Sequence, residues 1–224
     1  MHSLRSTLYD YRFEMLALLL TGLIFGGGIA PRTLFEDVVI PVIIFLSASL
    51  SAIIVQHRKL LLRIVFWVFA ALAFCLMLLR LFTDFYLHVR VPSLLIFILF
   101  FAILSYEVFR QMLGEKHITH SIIFAAFDCY LLLGMLGAML FSLLIVLDPG
   151  AFASVDPGDH LFNKMSYFSF ITLTSIGYGD ISPTSTLSEK FTALYGLIGH
   201  FYSVVIVGII VGKYVAVRND SENT

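Results

Sequence analysis

The chain has 224 residues, of which 59% are hydrophobic and 13% are charged, and its formal net charge at pH 7 is −1. A mean hydropathy of +0.95 excludes a soluble globular domain, because helices this apolar would expose hydrophobic surface on every face. The nearly balanced charge argues against a nucleic-acid partner. Composition therefore predicts an integral membrane protein that is surrounded by lipid.

Six apolar runs are long enough to cross a bilayer core about 30 Å thick, which takes roughly 20 residues in a helix. Short polar breaks separate most of these runs along the chain. We therefore predict an all-α fold with six transmembrane helices. The runs cover about residues 14–30, 34–55, 60–82, 91–112, a fifth run that ends at 147, and 191–214.

An even number of spans places both termini on the same side of the membrane, and the distribution of Lys and Arg selects that side. Nine basic residues fall on the side of the termini and five on the other side. The larger number indicates the cytoplasm. We expect a multi-pass protein of a plasma membrane with cytoplasmic termini.

A shorter apolar run at residues 161–174 lies between the last two spans, after an Asp-Pro-Gly turn signal at 148–150. A run of about 14 residues cannot cross a bilayer and is typical of a re-entrant segment. The Gly-Tyr-Gly backbone at 177–179 can lie at membrane depth only where protein buries it or where it lines a water-filled path. The sequence thus predicts a pore or a cavity.

Residues 175–180 read Ser-Ile-Gly-Tyr-Gly-Asp, a sequence suited to coordinating potassium ions with backbone carbonyls. Rings of carbonyl oxygens can replace the hydration shell of the ion, and four chains around one axis complete each ring. Two glycines supply the positive φ angles that turn successive carbonyls inward. The predicted filter comprises Ser175, Ile176, Gly177, Tyr178 and Gly179, with potassium bound at the first four and no other cofactor.

Residues 167–180, Tyr-Phe-Ser-Phe-Ile-Thr-Leu-Thr-Ser-Ile-Gly-Tyr-Gly-Asp, resemble the pore signature of the tetrameric potassium channel family. The family usually has Thr and Val where this chain has Ser175 and Ile176, which keep a hydroxyl and a β-branched side chain. The resemblance covers about residues 128–215 and implies a fourfold-symmetric homotetramer that selects potassium over sodium. Compact size without appended soluble domains resembles bacterial members, which implies a bacterial inner membrane.

The resemblance also assigns supporting roles around the filter. Ile171 stands where some bacterial members have a Glu that pairs with the aspartate at Asp180, so inactivation that depends on this carboxyl pair is not expected. The aromatic cuff around the filter, formed by Tyr167 and Phe168, keeps the aromatic bulk of the family and is expected to make fewer hydrogen bonds. Gly199 falls where the family often has a gating hinge. The implied supporting residues are Thr174, Asp180, Tyr167 and Phe168.

The pattern divides the chain into a four-span module at 1–113, a linker at 114–122, a pore domain at 123–215 and a cytoplasmic tail at 216–224. A voltage sensor needs repeated arginines along its fourth span. The fourth span here has no basic residue before Arg110, near its inner end, so gating by voltage is not expected. Three alternatives stay open: a weakly selective cation channel, a non-conducting sensor, and a subunit associated with a transporter.

Two further side chains are candidates for roles inside the membrane. Asp128 lies in the fifth span, where an ionisable residue is a functional candidate, with a position at the inner surface as the alternative. His200 would make conduction sensitive to pH if it faced the ion cavity, and it would be a packed histidine if it faced the fifth span. We predict a passive channel subunit without enzymatic activity, and the sequence leaves its gating stimulus open.

Overall fold

The structure is a computed structural model and describes residues 11–26, 42–43, 46–47, 50, 64, 67–69, 71–72, 86–114, 120–156 and 161–222. This part of the chain is largely helical, as the sequence predicts. Its elements are α1 (Arg12–Phe25), α2 (Tyr86–Gly114), α3 (His120–Leu147), β1 (Phe152–Ala153), α4 (Leu161–Leu173), β2 (Ser182–Pro183) and α5 (Thr186–Glu222).

Four of the six predicted spans overlap described helices. They are the first, fourth, fifth and sixth, which correspond to α1, α2, α3 and α5. The second and third predicted spans, at 34–55 and 60–82, lie mostly outside the described residues. Two helical segments among the described residues, Arg90–Gly114 and His120–Leu147, are long and apolar enough to cross a membrane. Together with the composition, they support a membrane protein.

The chain forms two compact units, Met1–Glu107 and Val108–Thr224. In the first unit, α1 is apolar at nearly every position, and the side chains that it buries recur every three or four residues, so one face of the helix packs inside the unit. The predicted linker at 114–122 overlaps α3, which already begins at His120, and residues 115–119 lie outside the described part of the chain. The buried apolar side chains of α1 include Phe13, Leu16, Leu20 and Leu23.

Phe141, on α3, lies at the centre of the second unit. Its side chain is fully buried, and its ring meets four other aromatic rings edge-on at centroid distances of 5.0–6.0 Å. Aromatic rings prefer this edge-to-face geometry because their faces are negative and their edges positive. One residue thus ties β1, α4 and α5 to α3. The four partners are Phe152 on β1, Phe168 on α4, and Phe191 and Tyr195 on α5.

Candidate functional site

The half-span segment predicted at 161–174 is α4, which packs against α3 and α5. Its 13 residues rise about 20 Å along the helix axis, which is too short to cross the bilayer core. Leu161, Met165 and Phe168 are buried at helical spacing, so one face of α4 anchors it in the core of the unit. The chain leaves α4 directly into the predicted filter.

α4 ends in a Schellman motif, in which a residue of positive φ follows the helix and two backbone hydrogen bonds close back onto it. The amide of Ile176 donates to the carbonyl oxygen of Ile171 at 2.8 Å, and the amide of Ser175 donates to that of Thr172 at 3.0 Å. Ser175 has the positive φ, at 59°. Glycine normally occupies this position, so the conformation of Ser175 costs roughly 1–2 kcal/mol.

The sign of φ alternates along the filter segment. It is positive at Ser175 (59°), Gly177 (52°) and Gly179 (82°), and it is not positive at Ile176 or Tyr178. Alternation between left- and right-handed residues turns successive peptide planes over, so that their carbonyl oxygens can line one side of the strand. A Cβ on either glycine would meet nothing within 4 Å in the subunit, so the backbone angle rather than space requires glycine there.

The outer end of the filter segment is joined to the loop after α3. β1 and β2 pair antiparallel, which brings the two loops side by side. The amide of Thr184 donates to the carbonyl oxygen of Ala151 at 2.9 Å, and the Ser188 hydroxyl donates to the same oxygen at 2.7 Å. The Thr184 hydroxyl also donates to the carbonyl of Gly150. Hydrogen bonds to backbone carbonyl oxygens therefore hold both ends of the filter segment within one subunit.

Tyr167 and Asp180, both predicted to support the filter, form a side-chain hydrogen bond. The bond joins the exposed face of α4 to the residue that directly follows the filter. A tyrosine hydroxyl thus supplies one hydrogen bond to the aromatic cuff. The Tyr178 side chain lies near Tyr167 and is 71% exposed in the subunit.

The two other predicted supporting residues strengthen α4 itself. The Thr174 hydroxyl donates to the carbonyl oxygen of Phe170 at 2.7 Å and so reinforces the end of the helix. Phe168 packs against Phe141 and Phe152 in the aromatic core of the unit. Tyr167 and Phe168 therefore lie on different faces of α4, because neighbouring helical residues are separated by about 100°.

Gly199 is buried within α5, which is helical without interruption over Thr186–Glu222. A Cβ at this position would lie 2.6 Å from the carbonyl oxygen of Leu173, the last residue of α4. Close approach of the two helices therefore requires glycine here, a role that the hinge prediction does not include. His200 is exposed in the subunit, and Asp128 is fully buried on α3. The functional roles of these two side chains and the hinge stay predictions.

Sequence reasoning missed the unusual backbone of Ser175. The usable signal is its position directly after a half-span helix, where the positive φ of a C-terminal cap is common. It also missed two buried hydroxyls, on Ser169 and Tyr195, which contact each other between α4 and α5. Nothing in the local sequence pairs residues that are 26 positions apart.

A half-span helix that leads into a strand of alternating φ, packed against two long helices, is the arrangement of a pore loop in an ion channel. The family described as ion channel matches residues 93–216, more than half of the chain, and the chain belongs to this family.

Over 78 residues, the chain is 31% identical to a probable potassium channel protein 2 of Methanocaldococcus jannaschii. The match covers 33% of this chain and 22% of that protein, so this chain spans about a fifth of the length of the relative it matches. The two matches support the predicted membership of the potassium channel family. No solved structure matches the chain.

Proposed function

We propose that the protein is the subunit of a homotetrameric potassium-selective channel in a plasma membrane, with its termini in the cytoplasm. The observation that carries the proposal is the alternation of φ at Ser175, Gly177 and Gly179 within a filter sequence at the end of a half-span helix. This backbone can present successive carbonyl oxygens to one axis, which is what a dehydrated potassium ion needs.

In the proposed mechanism, potassium occupies successive sites formed by the carbonyls of residues 175–178, one strand from each subunit. The first residues of the strand are prearranged, since their amides are bonded to α4 through Ile171 and Thr172. The oxygens then need little reorganisation when an ion enters. The C-terminal end of α4, which carries negative partial charge, favours a cation at the inner end of the filter. Several neighbouring sites let ions leave by displacing one another.

Exposed apolar side chains around the filter support assembly into a ring. Ile176 and Tyr178 are 53% and 71% exposed in one subunit, although they flank the predicted ion path. On α5, the side chains of Leu197, Phe201 and Val204 are also exposed in one subunit. Neighbouring copies around a fourfold axis would cover the filter side chains and keep water off the back of the strand.

Conduction is proposed to be independent of voltage. In α2, the basic residues Arg90 and Arg110 stand 20 positions apart, with no other Lys or Arg between them. That interval is about 30 Å of helix, so both charges belong near the membrane surfaces rather than within the transmembrane electric field. A steeply voltage-dependent channel needs several charges that move across the field.

The test is flux from liposomes that contain the purified tetramer under a potassium gradient, repeated with sodium and with barium. We expect potassium-selective flux that barium blocks. Gly177→Ala should abolish most of it, because alanine disfavours the φ of 52°. Gly196→Ala is the matched control, since its Cβ would lie 3.9 Å from Thr172, an ordinary contact.

Each outcome of the flux assay decides a different part of the proposal. Equal sodium and potassium flux would replace it with a weakly selective cation channel. No flux from intact tetramers, with either ion and at any imposed potential, would contradict a passive channel. Full potassium flux through Gly177→Ala would contradict the assignment of the filter to these residues.

A further inference from the structure

Behind the filter segment, two hydroxyl groups from different helices meet in the space between α3, α4 and α5. Ser169, on α4, donates to the carbonyl oxygen of Gly134 on α3 at 2.6 Å. Tyr195, on α5, donates to the carbonyl oxygen of Leu133 on α3 at 2.7 Å. The two hydroxyl oxygens are 3.0 Å apart. Ser169 is fully buried and Tyr195 is 4% exposed, so these contacts lie away from solvent and join all three helices.

The surface of α3 is shaped to admit these groups. A Cβ on Gly137 would lie 2.2 Å from the Tyr195 hydroxyl oxygen and 2.5 Å from the Ser169 hydroxyl oxygen. A Cβ on Gly134 would lie 2.2 Å from the ring of Phe170. The two glycines are three residues apart and share one helix face, where they leave a cleft that any larger residue would fill. Both positions require glycine for close packing around the hydroxyl pair.

The hydroxyl pair has three oxygen–oxygen contacts and two protons, because each hydroxyl carries one hydrogen. If both hydroxyls donate to α3, no proton lies between Ser169 and Tyr195. If one donates to the other, one of the two carbonyl contacts loses its hydrogen. The pair can therefore adopt three proton arrangements, with both hydroxyls donating to α3 or with either one donating to the other, and each depends on the separation of the three helices.

Ser169 lies directly before the residues of α4 that hold the filter. The carbonyl oxygen of Phe170 accepts the amide of Thr174 at 2.9 Å. The carbonyl oxygen of Ile171 accepts the amides of Ile176 and Gly177 at 2.8 and 3.2 Å. A shift or rotation of α4 at Ser169 would therefore pass to the first filter residues through bonded backbone.

We propose that Ser169 and Tyr195 are positioning residues that set the place of α4 between the two long helices and so the spacing of the filter carbonyls. The inference rests on the proposed channel function where conduction is measured. Ion binding by carbonyl rings depends on the geometry and flexibility of the oxygens. Loss of either hydroxyl should therefore change ion binding at the filter while leaving the filter sequence intact.

The test compares Tyr195→Phe and Ser169→Ala with a matched control, Tyr202→Phe. The Tyr202 hydroxyl also lies on α5 and donates to an α3 carbonyl, that of Ala126, at 2.7 Å. Among the residues that the structure describes, no hydrogen bond joins the Tyr202 hydroxyl to α4, so the control removes an α3–α5 bond alone. The readouts are the barium concentration that halves potassium flux, and hydrogen–deuterium exchange of the amides at 175–177.

We expect Tyr195→Phe and Ser169→Ala to change the half-blocking barium concentration by about threefold to tenfold, in the range of one hydrogen bond. Amide exchange at 175–177 should rise several-fold in the same two variants. Tyr202→Phe should leave both readouts at the wild-type value. The double variant should change block by more than either single variant, because each substitution also removes its own bond to an α3 carbonyl, and by less than the product of the two changes, because both remove the shared contact.

Unchanged block and exchange in Tyr195→Phe would overturn the inference. Equal changes in Tyr202→Phe would overturn it as well, because they would show general loosening of α3 and α5. Failure of both single variants to assemble would show a requirement for folding rather than for positioning. If the wild type conducts no ions, the proposed function fails, and amide exchange still decides whether the hydroxyl pair holds the filter backbone.

Discussion

Gly199→Ala distinguishes a packing role for this glycine from a hinge role, because the two roles predict opposite signs for the change in stability. A hinge glycine inside a helix lowers helix stability, so alanine would stabilise α5 by about 1 kcal/mol. A packing glycine admits a neighbour that a methyl group would displace. At Gly199 that neighbour is Leu173, at the junction of α4 and the filter.

The structure gives the size of the clash. The new methyl carbon would lie 2.6 Å from both the carbonyl oxygen and Cδ1 of Leu173, and 3.0 Å from its Cγ. Rotation of the side chain can relieve only part of this overlap, since the oxygen belongs to the backbone. Overpacking of this kind costs about 1–3 kcal/mol. After subtraction of the helix-propensity gain of about 1 kcal/mol, we expect a net loss of up to about 2 kcal/mol per subunit.

The assay is thermal melting of the purified variants in detergent, with Gly196→Ala as the control three residues earlier on the same helix. A methyl group at Gly196 would lie 3.9 Å from Thr172, so helix propensity should dominate and raise the melting temperature. Gly199→Ala should melt below the wild type and also reduce potassium flux. A Gly199→Ala variant that melts at or above Gly196→Ala would refute the packing argument and favour the hinge.

Two further predictions concern the ends of the filter segment. Ser175→Gly should be more stable than Ser175→Ala by about 1 kcal/mol in thermal melting, because glycine relieves the positive φ while both variants lose the hydroxyl; equal melting temperatures would contradict strain at this residue. Tyr167→Phe removes the bond to Asp180, so the melting temperature of the tetramer should rise less steeply with potassium concentration than it does in the wild type. Asp180→Asn should have a similar effect, and additive effects in the double variant would show that the two side chains act separately.

The hydrogen-bonding pattern explains why the sequence predicted part of the filter geometry and missed the rest. Gly177 and Gly179 were predictable sites of positive φ, because glycine adopts it at little cost. Ser175 was not, since its angle follows from two bonds that its own amide and that of Ile176 make to α4. The identity of the residue alone favours an ordinary negative φ.

The supporting residues divide in the same way. Tyr167 and Phe168 are adjacent in a family signature, which suggests one shared role. Helix geometry separates their side chains, so Tyr167 bonds to Asp180 and Phe168 enters the aromatic core. A helical projection of α4 would have indicated this division, and it would not have identified the partners, which come from other elements.

By itself, the sequence indicated the membrane class, the half-span length of α4 and the two glycines of the proposed filter, because apolar run length and glycine placement act locally. Tertiary structure alone decided which helix faces touch. It placed Gly199 against the end of α4 and brought Ser169 beside Tyr195 within a cleft of α3. These contacts join residues far apart in the chain, and their distances follow from how three helices pack rather than from any local pattern.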